Sequence, residues 1–155
     1  MGYGLVCQSG SKLGALGYGC VQTDPKEAFT SRLLRLYNFV GEMLELYRSY
    51  GSFPDLISVE RLFFGRNVTT AEYVWQARGV VLLRAAQAGV AVLEPKPSQV
   101  KLAVCGTGSA DKTQVQRMVQ RLLGLDSIPE PDDAADALAA AIAGLAYHSH
   151  EQKIK

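Results

Sequence analysis

The order of segments along the chain is the feature that most constrains its fold. A turn at Ser9-Gly10-Ser11-Lys12 separates two strand-like runs, so the chain is predicted to open with a β-hairpin. Stretches with helical spacing then alternate with short apolar runs at 56–59 and 90–93. Helices flanking a sheet are the usual outcome of such alternation. Because the hairpin adds antiparallel strands, we predict an α/β fold built on a mixed sheet.

The helices can be placed from their apolar spacing and their end signals. The pattern predicts helices over 29–47, 69–88 and 97–104, one capped by Ser109, and a last one after Pro131. Glycines in the second strand of the hairpin predict a bulge or a close approach of backbone. The last helix is expected to fade from His148. We therefore expect one domain over residues 1–150 and a disordered tail over 151–155.

Composition narrows the class of protein. The 155 residues are 48% hydrophobic and 20% charged, which is ordinary for a soluble globular domain with a sizeable core. No apolar run approaches the roughly 20 residues of a membrane span, and the first residues do not resemble a signal peptide. Cys7, Cys20 and Cys105 form no metal-binding pair, which favours reduced, buried thiols in a cytoplasmic protein. With a net charge of +1, DNA binding would require a local basic patch.

Carboxylates recur at helical spacing near the end of the chain. Asp133 and Asp136 are three residues apart in an alanine-rich helix, so they share one face. Two carboxylates on one face repel each other unless a cation or a substrate uses them. Glu60 closes the apolar run 56–59, which is typical of a buried strand reaching its carboxyl edge. Acids at a strand end and on a helix are the usual parts of a divalent-metal site for phosphodiester chemistry.

Each of these acids also has an ordinary structural explanation. Asp132 and Asp133 follow Pro131, where acids commonly cap a helix and favour its dipole, and capping is the favoured interpretation of Asp132. Asp136 has a weaker explanation of this kind, because Asp is a poor residue for a helix interior. Glu60 could be a surface acid, although the preceding run 56–59, apolar except for Ser58, favours a sheet edge facing a cleft.

Four stretches of the chain resemble the RuvC family, the Holliday-junction resolvases of bacteria. The stretches are Ile57–Phe64, Gln76–Gly79, Gly106–Val115 and Asp133–Ala139. Their combination in this order is specific, and the likeness runs from Tyr3 to about His148. The resemblance implies a ribonuclease-H-like fold and a homodimeric endonuclease that nicks two opposed strands of a four-way DNA junction in recombination and repair. It also implies two Mg²⁺ ions per active site, with Mn²⁺ as a substitute, and branch-migration motor proteins as partners.

The resemblance implies roles for individual residues. The metal-binding acids of the family correspond to Glu60, Asp133 and Asp136, which are therefore expected catalytic residues. Lys112 corresponds to a catalytic lysine near the scissile phosphate, where its ammonium would neutralise charge. Lys101 corresponds to a second such lysine.

The expected DNA-binding residues combine the resemblance with ordinary residue chemistry. Phe63 corresponds to an aromatic that wedges into the junction in the family, although phenylalanines in such a run are ordinarily core. Cations that are individually unremarkable could together form a phosphate-binding patch with salt-dependent affinity. The predicted DNA contacts are Phe63, Arg66, Arg78, Lys101 and Lys112.

The start of the chain departs from the family pattern. The family begins with the central strand of its sheet, whose Asp, followed by Pro-Gly, is the central metal ligand. Here Met1–Val6 resembles the family's second strand, and neither Asp24 nor Asp55 is placed to replace that Asp. We therefore expect a gap between the hairpin and the 56–59 strand, and hypothesise that the chain as written starts about one strand too late. An intact native mass equal to these 155 residues would refute that hypothesis.

Two other functions are compatible with the sequence. One is a catalytically inert protein that binds four-way junctions but lacks one metal ligand. The other is a ribonuclease-H-like nuclease that acts on RNA or on DNA without a junction. Cleavage of four-way DNA tests the first alternative, and competition between junction and duplex substrates tests the second.

Overall fold

The computed structural model describes the backbone of residues 1–61 and 68–154, and the side chains of 1–61 and 72–149. Strands and helices alternate in this part of the chain, which confirms the predicted α/β class. In chain order the elements are β1 (Gly2–Ser9), β2 (Lys12–Cys20), α1 (Phe29–Ser49), β3 (Leu56–Ser58), α2 (Val68–Ala88), β4 (Ala91–Leu93), α3 (Pro97–Cys105), α4 (Lys112–Leu123) and α5 (Asp132–Ile154).

The strands pair in two separate ladders. β1 and β2 form the predicted antiparallel hairpin, with a register shift that leaves Leu16 as an extra residue opposite Leu5 and Val6. β3 and β4 form a short parallel pair. Among the strands described, none of one ladder is paired with a strand of the other.

The chain divides into two compact units, each with its own packing. Unit 1 comprises residues 1–21 and 94–155, and unit 2 comprises residues 22–93. In unit 2, Tyr37 on α1 donates a hydrogen bond from its hydroxyl to Gln87 Oε1 on α2 at 2.8 Å. None of the helices described is long and apolar enough to cross a membrane.

The core of unit 1 forms where α3, α4 and the hairpin pack on α5. Val119 of α4 and Leu138 of α5 are fully buried there. Buried alanines at 134, 135 and 139 leave α5 with a flat face. The hairpin consequently approaches so closely that a Cβ built on Gly4 would lie 2.8 Å from Leu138 Cδ2. This packing fixes which side of α5 faces away from the core.

Two predicted helix ends differ from the structure. The cap of α4 is Asp111, not Ser109: the Asp111 carboxylate accepts from Gln114 N at 2.8 Å, and Gln114 Oε1 accepts from Asp111 N at 2.9 Å. This reciprocal pair satisfies two backbone donors, which the Ser109 hydroxyl, paired with Thr107 instead, does not do. α5 continues to Ile154, whereas a disordered tail was expected from residue 151.

Candidate functional site

The first residues of α5, over 132–136 and here called the acidic turn, present their acids on the side opposite the core. Asp132, Asp133 and Asp136 are exposed, whereas Ala134 and Ala135 between them are buried. The spacing predicted one shared face for Asp133 and Asp136, and the burial pattern confirms that both lie outside the core. The acids are therefore accessible to a cation or to a substrate.

Lys112 brings a positive charge from α4 to this acidic turn. It is the first residue of α4, directly after the Asp111 cap. Its Nζ lies 2.7 Å from Asp132 Oδ2 and 3.9 Å from Asp136 Oδ2. The prediction placed Lys112 near a phosphate; the structure places its ammonium beside two carboxylates.

A second contact joins α4 to the same acid. Gln116, one turn beyond Lys112, donates from Nε2 to Asp132 Oδ1 at 3.0 Å. Both oxygens of Asp132 are thus engaged by α4, a role that the sequence interpretation, which favoured helix capping, did not include. The one available signal was the four-residue spacing of Lys112 and Gln116, which puts both on one face of α4.

The charged groups of this turn change one another's pKa values, raising some and lowering another. The hydrogen bond from Lys112, followed by the one from Gln116, lowers the pKa of Asp132. Burial raises the pKa of Asp136, and the charges of Asp132 and Asp133 add to that rise while Lys112 opposes it. The hydrogen bond to Asp132 raises the pKa of Lys112. The ammonium and the Asp132 carboxylate therefore hold each other in their charged forms at neutral pH.

Cys20 lies against the third acid of the turn. It is the last residue of β2, and its thiol forms a hydrogen bond with the Asp133 carboxylate. Burial, followed by the charge of Asp133, raises the pKa of the Cys20 thiol. The cysteines are free thiols as expected, but Cys7 is exposed, so the expectation that all three are buried is wrong.

Glu60 and Arg78 belong to unit 2. Glu60 is exposed and lies two residues beyond β3, where Val59 N still donates to Leu93 O at 2.9 Å. It therefore follows the carboxyl end of a paired strand, as predicted. Arg78 lies on α2 with its guanidinium carbon 5.8 Å from the centroid of the Trp75 ring.

The remaining predicted DNA contacts fall in different parts of the chain. Lys101 lies on α3 of unit 1 and is partly buried. Phe63 and Arg66 lie outside the described residues, so the structure gives no account of either. Of the predicted site residues, the structure brings together Asp136 and Lys112, with Asp133 about one turn before Asp136 on α5.

The acidic turn suits a hard cation by the chemistry of its donors. Carboxylate oxygens are the ligands that Mg²⁺ prefers, and the Lys112 ammonium already places a positive charge within 4 Å of both Asp132 and Asp136. Burial is the main cause of the raised pKa of Asp136, and a cation bound to the carboxylate would offset that cost of ionisation. Within residues 1–61 and 68–154, no group of three His, Cys, Asp or Glu stands close enough to hold a metal. The turn supplies part of a donor set.

Comparison with known proteins gives a consistent family. Residues 1–144 match the family model described as "Crossover junction endodeoxyribonuclease RuvC". A protein of that name from Heliobacterium modesticaldum is 53% identical over 141 residues, which cover 91% of this chain and 84% of the relative. Another from Desulfitobacterium hafniense is 49% identical over 150 residues, covering 97% and 86%.

Solved structures agree with this family in fold. The structure of RuvC from Thermus thermophilus superposes with a TM-score of 0.85 at 37% identity, covering 97% of this chain and 89% of that one. A second structure is that of T. thermophilus RuvC in complex with Holliday junction substrate. It superposes with a TM-score of 0.83 at 35% identity, covering 95% and 87%. These likenesses confirm the predicted ribonuclease-H-like fold class.

Proposed function

The chain belongs to the RuvC family of crossover junction endodeoxyribonucleases, and on that premise we propose that it resolves Holliday junctions by paired nicks in DNA recombination and repair. The observation that carries the proposal is the family match across residues 1–144. The likeness to T. thermophilus RuvC in complex with a Holliday junction supports a four-way junction as the substrate. We further propose residues 1–150 as a single nuclease domain acting in the cytoplasm.

Magnesium is the proposed cofactor, with two ions per active site and Mn²⁺ as a substitute. Glu60, Asp133 and Asp136 would hold it, because each offers hard carboxylate oxygens at an exposed position. When bound, the metal would activate the attacking water and stabilise the leaving oxygen. Asp136 supports the proposal most directly, since burial raises the pKa of its carboxyl and a bound cation would favour the ionised form.

Lys112 is proposed to act on the scissile phosphate. The raised pKa of its ammonium keeps the proton on Nζ at neutral pH, and the exposed side chain leaves the charge within reach of a substrate. A positive charge at this point stabilises the negative charge that develops on the phosphate oxygens during attack by water. The lysine stays protonated throughout and acts by electrostatics alone.

The DNA-binding surface is proposed to combine stacking with phosphate contacts. Phe63 would stack on a base at the junction, a contact worth roughly 1–3 kcal/mol in other proteins. Arg66, Arg78, Lys101 and Lys112 would contact phosphates, which position the DNA without reading its sequence. Because the net charge of the chain is only +1, the affinity would come from these few residues.

A homodimer is the proposed assembly, since paired nicks in opposed strands need two active sites. On α2, the exposed residues Tyr73, Val74 and Trp75 support it, because apolar side chains on one helix are common at subunit interfaces. Branch-migration motor proteins are the proposed partners. Sedimentation at micromolar concentration is expected to give a dimer, and a monomer would contradict this assembly.

The test compares three labelled nucleic acids of matched length and sequence: a four-way DNA junction, a linear DNA duplex and an RNA–DNA hybrid. The protein as its gene produces it is expected to nick only the junction, and only with Mg²⁺ or Mn²⁺ present. Preferential cutting of the hybrid or of linear duplex would replace the proposal with a nuclease of another specificity. Junction binding without any nick would favour an inert junction-binding protein.

A further inference from the structure

We propose that Asp132 is a positioning residue for Lys112. Asp132 is not among the acids proposed to hold metal, and its own helix accounts for neither of its side-chain contacts. One carboxylate oxygen receives the Lys112 ammonium at 2.7 Å, and the other receives the Gln116 amide at 3.0 Å. The inference rests on the proposed role of Lys112 and adds the residue that places its charge.

The position of Lys112 in α4 explains why it needs such a partner. A cation in the first turn of a helix is unfavourable, because the exposed backbone N–H groups already carry partial positive charge. Left alone, the flexible side chain would turn away from α4 into solvent. Asp132 supplies the opposing charge from α5, where an acid in the first turn is itself favoured. The ion pair thus fixes the direction of the Lys112 side chain, which α4 alone would not fix.

Gln116 fixes the orientation of the Asp132 carboxylate that binds Lys112. A carboxylate bound only by one exposed lysine would rotate freely, and an exposed pair of that kind contributes little to stability. The Gln116 amide occupies Oδ1 and leaves Oδ2 directed at Lys112. As a result the ammonium is held 3.9 Å from Asp136 Oδ2, at the rim of the acidic face. This arrangement orients the charge of Lys112 and adds little to the stability of the protein.

The test is a double-mutant cycle on junction cleavage with Mg²⁺, using wild type, Asp132→Ala, Lys112→Ala and the double variant. Asp132→Ala is expected to lower kcat about 10-fold with KM nearly unchanged, because misdirecting a catalytic group weakens the reacting state more than substrate binding. In the Lys112→Ala background, removing Asp132 should cost nothing further. Asp132→Glu should restore part of the rate. The matched control is Asp126→Ala, which removes an exposed acid of unit 1 outside this contact.

A role in capping or folding predicts a different pattern. It would lower the rate equally in both backgrounds and lower Tm together with kcat, and either result overturns the proposal. If Asp132→Ala cleaves at the wild-type rate while Lys112→Ala cleaves slowly, the positioning role of Asp132 is overturned and the proposed function stands. Wild-type activity in Lys112→Ala contradicts the proposed role of Lys112 itself.

A second readout does not depend on cleavage. NMR of the lysine side chains should show slow Nζ proton exchange and restricted motion for Lys112 in the wild-type protein. Both signatures should be lost in Asp132→Ala and kept in Asp126→Ala. A Lys112 ammonium equally mobile in all three proteins overturns the proposal, even if the protein cuts no DNA.

Discussion

At the scale of single residues, the ionised carboxylate of Asp136 lowers the stability of the folded protein. Its side chain is about half exposed, yet burial and the neighbouring acids raise the pKa of its carboxyl. A carboxyl with a pKa higher in the folded than in the unfolded protein binds more protons when folded. Ionising it therefore lowers stability as pH rises through that interval. A residue that weakens the fold at neutral pH is a candidate for function.

Replacing Asp136 with Asn is expected to separate stability from activity. At neutral pH without metal, Asp136→Asn should raise Tm by about 1–2 °C, a small gain because half-exposed charges are screened by solvent. The gain should shrink as pH falls through the raised pKa of the folded state and vanish below about pH 3, where Asp, with an unfolded pKa of about 3.9, is protonated in both states. Junction cleavage should fall below detection. Thermal unfolding monitored by circular dichroism across pH provides the measurement.

The control for this substitution is Asp126→Asn, an exposed acid with no part in the α4–α5 contact. It should leave both Tm and cleavage unchanged. A lower Tm for Asp136→Asn at neutral pH would mean that the Lys112 contact outweighs the cost of burial. The electrostatic account of the acidic turn would then be wrong.

At the scale of elements, the site depends on how closely the hairpin packs on α5. A Cβ built on Gly4 would lie 2.9 Å from both Leu138 Cγ and Leu138 N, and the backbone atom cannot move aside cheaply. Gly4→Ala is therefore expected to destabilise the protein by about 1–3 kcal/mol. Tm should fall by several degrees, at about 2–4 °C per kcal/mol for a chain of this size. Chemical denaturation measures the change.

Gly14 provides a matched control in the same hairpin. A Cβ there would meet only Cys7 Sγ, at an ordinary contact distance of 3.5 Å. Gly14→Ala should leave stability unchanged or improve it slightly, since glycine is unfavourable within strands. Equal losses for both substitutions would show that the hairpin resists any side chain, not that β1 packs closely on α5.

Sequence patterns predicted the elements better than the contacts between them. The hairpin, its bulge and the short helix α3 follow from local turn and spacing signals, and the structure confirms them. The capping box of Asp111 and Gln114 could also be recognised in the sequence, but the helix cap was assigned to Ser109 instead. The pairing of Lys112 with Asp132 was not predictable, because it depends on how α4 and α5 pack around a shared core. The contact of Cys20 with Asp133 was not predicted from the sequence for the same reason.

At the scale of the whole molecule, the near-neutral charge limits how DNA can be held. With a net charge of +1, long-range attraction is weak, so binding should depend on a few local contacts. Arg78→Ala and Lys101→Ala should each weaken junction binding at every DNA sequence. Each should also reduce the slope of log K against log salt by about one. Fluorescence anisotropy at several salt concentrations measures both effects.

The comparison for these variants is Arg48→Ala, which removes a cation on α1 that is not among the proposed DNA contacts. It should leave the salt slope unchanged. If all three substitutions reduce affinity equally, the binding is diffuse and the proposed phosphate contacts are not a defined surface.

Cleavage of a labelled four-way junction tests the central claim most directly. The experiment uses the protein as its gene produces it, with Mg²⁺, with EDTA, and with Asp136→Asn in place of wild type. We expect paired nicks in two opposed strands with Mg²⁺, and intact DNA with EDTA or the variant. A junction that is bound yet remains intact at every Mg²⁺ concentration would contradict the proposed nuclease activity and identify a binding protein in place of a nuclease.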